Sequence, residues 1–305
     1  MELINQMTSH TVSAAASGTW VLGDLTVNRL GFGAMRLTGS AAFHDGTPSD
    51  RGRAITVLRR AIELGVDHID TAAFYFSRLR SANELINSAL APYADDLVIS
   101  TKVGPVRDAS GGWPEPARPD ELRGQVEENL RQLGRDHLDV VNLRLMGQDS
   151  VSEHFGALSE LRDAGLIRHL GISNARPEHL AQAEAIAPVV CVQNRYGLDS
   201  PDRTGMLRAC AERGIAFVSF FSIAGEGREA GAVRDEHDEV RAVARAHGAS
   251  PAQVRLAWIL GQGSHVLAIP GTGDPDHLAD NVAAGALRLT QDEFQLLDAI
   301  GRSAS

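Results

Sequence analysis

The strongest indication of the fold class is the run Val189-Val190-Cys191-Val192-Gln193-Asn194. Four consecutive apolar residues, three of them valine, are typical of a strand that is buried on both faces, as in a parallel sheet. Two polar residues follow at the point where the strand is expected to end. The run therefore predicts an α/β chain with polar groups at the carboxyl end of a buried strand.

The same alternation of an apolar, β-rich run and an amphipathic helical stretch occurs eight times. The predicted strands are Arg29–Ala34, His68–Ala72, Leu97–Lys102, Leu138–Arg144, His169–Asn174, Val189–Asn194, Ala216–Phe221 and Val266–Gly271. Two of the helical stripes between them are Ile55, Leu58 and Ile62, and Leu122, Val126, Leu130 and Leu133. Eight βα units with right-handed crossovers close most simply into a (β/α)8 TIM barrel. A doubly wound sheet is the alternative, but it leaves eight strands in one open layer.

The segment ahead of the first barrel strand carries a separate signal. Trp20–Leu22 and Leu25–Val27 are joined by Gly23-Asp24, which predicts an N-terminal β-hairpin that closes the barrel floor. Residues 1–18 are predicted to be a disordered lead-in, so residues 19–305 form a single barrel domain. Two helix starts are marked by capping boxes, Ser250 with Gln253 and Thr290 with Glu293.

Composition excludes several function classes. A net charge of −10 disfavours binding to nucleic acids or anionic membranes, and an anionic cofactor then needs a local positive pocket. No stretch approaches the length of a membrane span. Cys191 and Cys210 are too few for a disulfide framework, and the eleven histidines show no paired ligand spacing, so no metal is predicted. We expect a soluble, cytoplasmic protein.

Lysine is almost absent from the chain, since Lys102 is the only one among 29 lysine and arginine residues. A lysine differs from arginine in its compact charge and in a pKa that burial can move. Taken alone, Lys102 has an alternative explanation, as a residue left by chance near a strand end. Barrel enzymes, however, work at the carboxyl ends of their strands. That rule places with Lys102 a set of polar residues at other strand ends: Asp70, Tyr75, Arg144, Ser173, Asn174, Gln193 and Asn194.

An aspartate, a tyrosine five residues later and a lysine at the end of the next strand resemble the aldo-keto reductase superfamily. The motifs that carry the resemblance are Gly65–Ala72 with Tyr75, Lys102, Gly171–Asn174, Val192–Tyr196 and Ile269–Thr272, in the expected order. The resemblance runs from about Trp20 to Ile300. Within the superfamily the chain is most similar to the bacterial pyridoxal reductases. The residues behind that similarity are Leu138–Arg144, Phe220-Phe221, and Ile269–Thr272 with His277.

The resemblance implies a carbonyl reductase in which Tyr75 is the general acid for reduction and the base for oxidation. A phenol with a pKa near 10 is a sluggish acid at neutral pH. A nearby Lys102 ammonium favours the phenolate and is expected to lower the pKa of Tyr75. Asp70 is expected to pair with Lys102, which holds the amine in place and keeps it charged.

Two residues depart from the family pattern. Arg144 stands where many members carry histidine, and a guanidinium cannot be deprotonated in practice. It can still polarise a carbonyl or bind an anionic substrate group, such as the ionisable phenol beside the aldehyde of pyridoxal. A structural salt bridge at the strand end is the alternative. Phe76 replaces the glycine usual after the tyrosine and is expected to narrow the cavity mouth.

The resemblance also implies NADPH as the cofactor, with NADH as the alternative. No G-x-G-x-x-G fingerprint follows a strand, so nicotinamide binding must be of the barrel-reductase kind. Ser173, Asn174 and Gln193 are expected to hold the carboxamide, with Phe220 stacked on the ring. Gly271 and His277 stand where a lysine and an arginine are common, which weakens the case for the 2′-phosphate. The other residues assigned to the cofactor are Gly33, Ala34, Met35, Phe221, Ser222, Gly225, Gly227, Arg228, Thr272 and Asn281.

The substrate mouth is expected to include Phe43, Phe74, Trp113 and Arg195, although each is equally explained by loop packing. The leading reaction is reduction of pyridoxal to pyridoxine. A keto-sugar or secondary-metabolite carbonyl is the alternative substrate. An alternative of another class is a nicotinamide-binding regulatory subunit with little turnover, against which the intact Asp70, Tyr75 and Lys102 set argues.

Overall fold

The computed structural model describes residues 12–39, 47–108, 110–223 and 236–303. A hairpin comes first and eight barrel strands follow. The strands are β1 (Thr19–Leu22), β2 (Leu25–Asn28), β3 (Phe32–Gly33), β4 (His68–Asp70), β5 (Val98–Val103), β6 (Leu138–Arg144), β7 (Ile167–Ser173), β8 (Val189–Arg195), β9 (Ala216–Phe220) and β10 (Val266–Ala268). From β3 to β10, each strand pairs with its neighbour along the chain, and every pairing is parallel.

The first and last barrel strands also meet, which closes the sheet on itself. Leu30 forms a parallel bridge with Ala268. The backbone N–H of Gly31 donates to the carbonyl of Ala268 at 2.9 Å, and that of Ala268 donates to Arg29 at 2.9 Å. The predicted (β/α)8 barrel is confirmed, and the open doubly wound sheet is excluded.

Helices surround the barrel and follow most of its strands. They are α1 (Arg51–Glu63), α2 (Ala82–Leu90), α3 (Leu122–Leu133), α4 (Ser152–Asp163), α5 (Pro177–Glu184), α6 (Met206–Arg213), α7 (Asp238–His247), α8 (Pro251–Gly261), α9 (Pro275–Ala283) and α10 (Gln291–Ser303). Both predicted capping boxes form, at Ser250 with Gln253 and at Thr290 with Glu293. Among the described helices, none combines the length and the apolar character needed to cross a membrane.

Two apolar layers hold the barrel together. The helical stripe of α3 faces the outer side of the sheet, with Leu122, Val126 and Leu133 fully buried. Inside the barrel, Leu22 and Val27 of the hairpin pack with interior residues such as Val140 at the amino ends of the strands. The hairpin therefore closes the barrel floor as predicted, which leaves the opposite, carboxyl end of the strands open for a site.

The prediction of disorder was wrong for residues 12–18. Ala14–Ser17 form a 3-10 turn in which Ala14 is fully buried. The N–H of Ala14 donates to the carbonyl of Leu64 at 2.8 Å, and the Ser17 hydroxyl accepts from the N–H of Leu30 at 3.1 Å. Small alanine and serine side chains allow this close packing without any apolar period, so the sequence gives no warning of it. Residues 1–11 lie outside the described part of the chain.

Candidate active site

A cavity of about 570 Å³ opens at the carboxyl end of the barrel. Asp70 ends β4, Lys102 is next to last in β5, and Tyr75 lies in the loop that follows β4. All three side chains line the cavity and are buried. The parallel register explains why they meet, since Asp70 pairs with Ser100, two residues before Lys102 on the adjacent strand.

The Lys102 amine is held from three sides. Its Nζ donates to Asp70 Oδ2 at 2.5 Å and to the carbonyl of Thr71 at 3.0 Å. It also lies 4.9 Å from the centre of the Tyr75 ring. The second oxygen of Asp70 accepts from Gln193 Nε2 at 2.6 Å. An ammonium with this set of acceptors is oriented toward the phenol and is not free to swing away.

A buried polar network, which the sequence analysis did not find, supports the backbone around the amine. The Thr71 hydroxyl donates to Asn83 Oδ1 at 2.7 Å, and Asn83 Nδ2 donates to Asn129 Oδ1 at 3.0 Å. The Thr101 hydroxyl donates to the same Asn129 oxygen at 2.6 Å. Thr71 supplies a carbonyl acceptor to the Lys102 amine, and Thr101 directly precedes Lys102 in β5. The network therefore fixes two residues that hold Lys102 in position.

The pKa shifts of Lys102 and Tyr75 agree only in part with the sequence-based expectation. Burial alone tends to lower the pKa of Lys102, but the charges of Asp70 and Tyr75 outweigh it, so the pKa of the amine lies above its ordinary value. Burial also raises the pKa of Tyr75, and the opposing effect of the Lys102 charge is smaller. The expected net lowering of the Tyr75 pKa was therefore wrong, because desolvation of the phenolate dominates. At neutral pH the phenol holds its proton.

This pKa direction predicts the pH dependence of the two reaction directions. With Tyr75 as the predicted proton donor, reduction requires the protonated phenol, so we expect its kcat/KM to stay level up to pH 10.0, the ordinary pKa of tyrosine, and to fall only above it. Oxidation needs the phenolate, so its kcat/KM is expected to rise with pH across the same range. Initial rates between about pH 6 and 10.5 in both directions give the profiles. An alkaline fall in reduction centred below about pH 9 contradicts this assignment.

Arg144 ends β6 and reaches into the same cavity. Its guanidinium carbon lies 5.1 Å from the centre of the Phe220 ring. Its Nη1 is buried and has no hydrogen-bond partner among the described residues. Arg144 forms no salt bridge with any of the described residues. A buried cationic donor without an acceptor is a costly group, and a ligand oxygen is the natural partner for it.

Two further buried polar atoms are left without partners on the cavity wall. They are the Ser173 hydroxyl oxygen and Gln193 Oε1, counting all partners that the described residues offer. A hydroxyl and an amide oxygen match the oxygen and nitrogen of a carboxamide, and the Phe220 ring lies in the same wall. The residues present thus fit the nicotinamide group. Asn174, by contrast, is exposed and donates to the carbonyl of Leu145 at 3.1 Å.

The remaining predicted residues divide into three groups. Those that line the cavity are Gly33, Met35, Phe221, Ser222, Gly271, Phe74 and Trp113. Those that the structure places outside its lining are Ala34, Asn174, Thr272, His277, Asn281 and Arg195. Gly225, Gly227, Arg228 and Phe43 lie outside the described residues. Phe76 is also absent from the lining, and its ring faces Arg107 at 4.3 Å instead.

Two arginines near the loop of residues 271–274 were missed by the sequence analysis. Arg36 lines the cavity from the turn after β3. Applying the rule of strand ends to β3 would have identified it. Arg53 of α1 donates to the carbonyl of Gly273 at 2.9 Å and pairs with Asp274. It comes from a helix far away in sequence, so no local pattern pointed to it. Two arginines therefore lie near the loop that carries Gly271 and Thr272, and the charge of Arg53 is balanced there by Asp274.

Fold and site together define a barrel whose open end holds a buried phenol beside a lysine ammonium. A family model described as "Aldo/keto reductase family" matches residues 29–302. The chain therefore belongs to the aldo/keto reductase family, and it is an oxidoreductase that acts on carbonyl or alcohol groups. The resemblance predicted from Asp70, Tyr75 and Lys102 is confirmed.

Individual relatives agree over nearly the whole chain. Pyridoxine 4-dehydrogenase of Escherichia coli (strain K12) is 43% identical over 295 residues, which cover 94% of this chain and 99% of that protein. Among solved structures, a thermostable aldo-keto reductase in complex with the inhibitor epalrestat has a TM-score of 0.78 at 29% identity, covering 92% of this chain and 98% of that one. An aldo-keto reductase from Klebsiella pneumoniae in complex with NADPH has a TM-score of 0.72 at 27% identity, covering 90% and 91%.

Proposed function

We propose that this protein is an NADPH-dependent reductase that converts pyridoxal to pyridoxine. The observation that carries the proposal is the unpartnered Nη1 of Arg144, a buried cation on the wall that also holds Tyr75. An aldehyde that bears an ionised phenol beside its carbonyl presents two oxygens to that wall. The similarity to a pyridoxine 4-dehydrogenase supports the same substrate.

The assignment of the cofactor depends on two buried polar atoms that have no partner among the described residues and that match a nicotinamide carboxamide. Ser173 and Gln193 are available to bind the carboxamide, and Phe220 lies in the same wall. The NADPH-bound relative supports the phosphorylated cofactor. Arg36 lines the same cavity as Gly271, and Arg53 contacts the loop that follows through the carbonyl of Gly273 and an ion pair with Asp274. When bound, the reduced nicotinamide supplies a hydride to the carbonyl carbon.

Side chains of the protein supply the proton that the carbonyl oxygen requires. The Tyr75 hydroxyl donates its proton to the carbonyl oxygen as negative charge develops there, and the phenolate left behind is stabilised by the Lys102 ammonium. Asp70 and the Thr71 carbonyl keep that ammonium charged and in place, at 2.5 and 3.0 Å. Burial of all three side chains excludes water, which strengthens each of these interactions. In oxidation the same groups act in reverse, with the phenolate as base.

Arg144 has a different task, because it cannot give up a proton. We assign to it the recognition of the substrate phenolate, which a charge-assisted hydrogen bond stabilises by about 1.5–3 kcal/mol. Its guanidinium carbon lies 5.1 Å from the centre of the Phe220 ring, a cation–π contact that holds the charge on this wall. Substrates without an anionic oxygen beside the carbonyl gain nothing from this residue, so Arg144 sets the preference among aldehydes.

Steady-state kinetics of the wild type and of Arg144→Met test the proposal. We expect pyridoxal reduction with a clear preference for NADPH over NADH when the two are assayed in parallel. For Arg144→Met we expect a KM for pyridoxal that is about 10- to 100-fold higher, the range that a charge-assisted hydrogen bond implies. Pyridine-4-carboxaldehyde, which lacks the phenol, is the matched substrate and its KM is expected to change by less than about threefold. Equal losses for both aldehydes contradict the assignment of Arg144.

A second candidate substrate, a keto-sugar or secondary-metabolite carbonyl, is favoured by Trp113. This side chain is 41% exposed at the cavity wall and packs edge-on against Phe74 at 5.8 Å. An exposed indole of this kind suits the flat face of a sugar ring. Including keto-sugars and quinones in the same assay separates the two candidates. Tight NADPH binding without turnover of any carbonyl instead favours the nicotinamide-binding subunit.

A further inference from the structure

A primary amine on the wall of an aldehyde-binding cavity invites an unwanted reaction. A neutral amine has a lone pair that adds to the carbonyl carbon of an aldehyde. Loss of water then gives an aldimine, which occupies the cavity and removes the ammonium on which the proton donor depends. An ammonium has no lone pair and cannot begin this sequence. The charge state of Lys102 therefore decides between reduction of an aldehyde and capture of it.

The contacts of Lys102 are those that hold an amine as ammonium. Two of its hydrogens are directed to Asp70 Oδ2 and to the Thr71 carbonyl, at 2.5 and 3.0 Å. Asp70 is in turn held by Gln193 at 2.6 Å, so its carboxylate cannot rotate away from the amine. The Lys102 side chain is only 5% exposed, and such a pair is little screened by water.

We propose that Asp70 and the Thr71 carbonyl protect the enzyme from its own substrate by keeping Lys102 as an ammonium, which cannot condense with the aldehyde in the cavity. The inference rests on the proposed function, because it requires an aldehyde to enter the cavity. It gives Asp70 a second role beside support of the proton donor. Burial without this carboxylate favours the neutral, nucleophilic amine.

Composition points the same way. Lys102 is the only lysine of the chain, and the other 28 cationic side chains counted with it are arginines. A guanidinium stays protonated under all ordinary conditions and does not form aldimines with simple aldehydes. The one amine side chain of the chain is thus the one that Asp70 keeps protonated and therefore non-nucleophilic. Because there is only one lysine, any aldimine formed on a side-chain amine can be assigned to Lys102.

The decisive variant is Asp70→Asn, which keeps the size of the side chain and removes its charge. The protein is incubated at pH 7.5 with pyridoxal, NADP+ and cyanoborohydride, so that the cofactor site is filled but no hydride is available from it. The amine and the aldehyde form a C=N bond with loss of one water, and cyanoborohydride reduces that bond to a stable secondary amine. We expect labelling of Lys102 at least about tenfold faster than in the wild type, since each unit of pKa lowering gives ten times more neutral amine.

Tryptic mapping locates the label without ambiguity. The unmodified chain gives the peptides Ser81–Lys102 and Val103–Arg107, whereas a modified Lys102 resists cleavage and gives Ser81–Arg107. The matched control is Asp24→Asn, which removes an exposed carboxylate that pairs with Arg168 at 2.7 Å on the hairpin at the barrel floor. We expect Lys102 in that variant to be labelled no faster than in the wild type. The α-amino group serves as an internal standard of reactivity in every sample.

The outcomes separate this inference from the proposed function. If the wild type reduces pyridoxal with NADPH and folded Asp70→Asn is labelled no faster than the wild type, the inference is wrong and the proposed function stands. If the wild type does not reduce pyridoxal, the proposed function fails first. Should Asp70→Asn not fold, the wild type labelled with ¹⁵N-lysine still decides, because its one side-chain signal comes from Lys102. That signal is expected to remain that of an ammonium up to about pH 10, and a neutral amine at pH 8 overturns the inference.

Discussion

Tyr75→Phe is expected to lower kcat for carbonyl reduction by at least about 100-fold, the lower part of the range for loss of a general acid. The substitution removes one hydroxyl and leaves the ring, which packs edge-on against Phe74 at 5.2 Å. No cavity is created, and Lys102 keeps both Asp70 and the Thr71 carbonyl as acceptors. The loss therefore measures the proton donor and not the packing around it. Stopped-flow or steady-state rates with NADPH and pyridoxal give the ratio.

The control for this variant is Tyr93→Phe, which removes a phenol elsewhere in the same fold. The Tyr93 hydroxyl donates to the carbonyl of Leu133 at 2.7 Å, on the outer side of the barrel. Its loss is expected to cost about 1 kcal/mol of stability and to leave turnover unchanged. NADPH affinity, measured by fluorescence titration, should change by less than about twofold in both variants, because neither hydroxyl is assigned to the cofactor. Tyr75→Phe turning over within about tenfold of the wild type refutes the role of Tyr75.

Most of the fold could be predicted because buried parallel strands leave long apolar runs. Leu138–Arg144 is predicted and observed with the same ends. The first and last barrel strands are shorter than predicted, at Phe32–Gly33 and Val266–Ala268. These two strands close the barrel through single bridges around Leu30, so their ends are set by closure and not by composition.

The core of the site could be predicted from the rule of strand ends, since Asp70 and Lys102 occupy adjacent strands. What escaped prediction depends on contacts between distant elements. Asn83 and Asn129 stabilise Thr71 from α2 and α3, yet in sequence they are ordinary polar residues of amphipathic helices. The direction of the Tyr75 pKa also escaped, because it depends on how deeply the ring is buried once the cavity has formed.

Lys102→Arg is expected to lower kcat by at least about 100-fold although the positive charge is retained. The amine occupies a closed space whose acceptors are Asp70 Oδ2 and the Thr71 carbonyl. A guanidinium brings five N–H donors in a flat fork, so several of them remain buried without acceptors. Its extra volume also presses on the Tyr75 ring, which lies 4.9 Å from the present Nζ. The phenol is then displaced from the carbonyl that it must protonate.

Two companion variants show whether the compact shape of the ammonium is what matters. Lys102→Met removes the charge but fits the space, and we expect a loss as large as that of Lys102→Arg. Arg60→Lys makes the reverse exchange at an exposed pair with Glu63, at 3.0 Å, and is expected to leave kcat unchanged. The kcat of each variant is measured together with its thermal midpoint, so that misfolding is recognised. If Lys102→Arg retains near-normal turnover while Lys102→Met does not, a nearby positive charge is sufficient and the site does not require a compact ammonium.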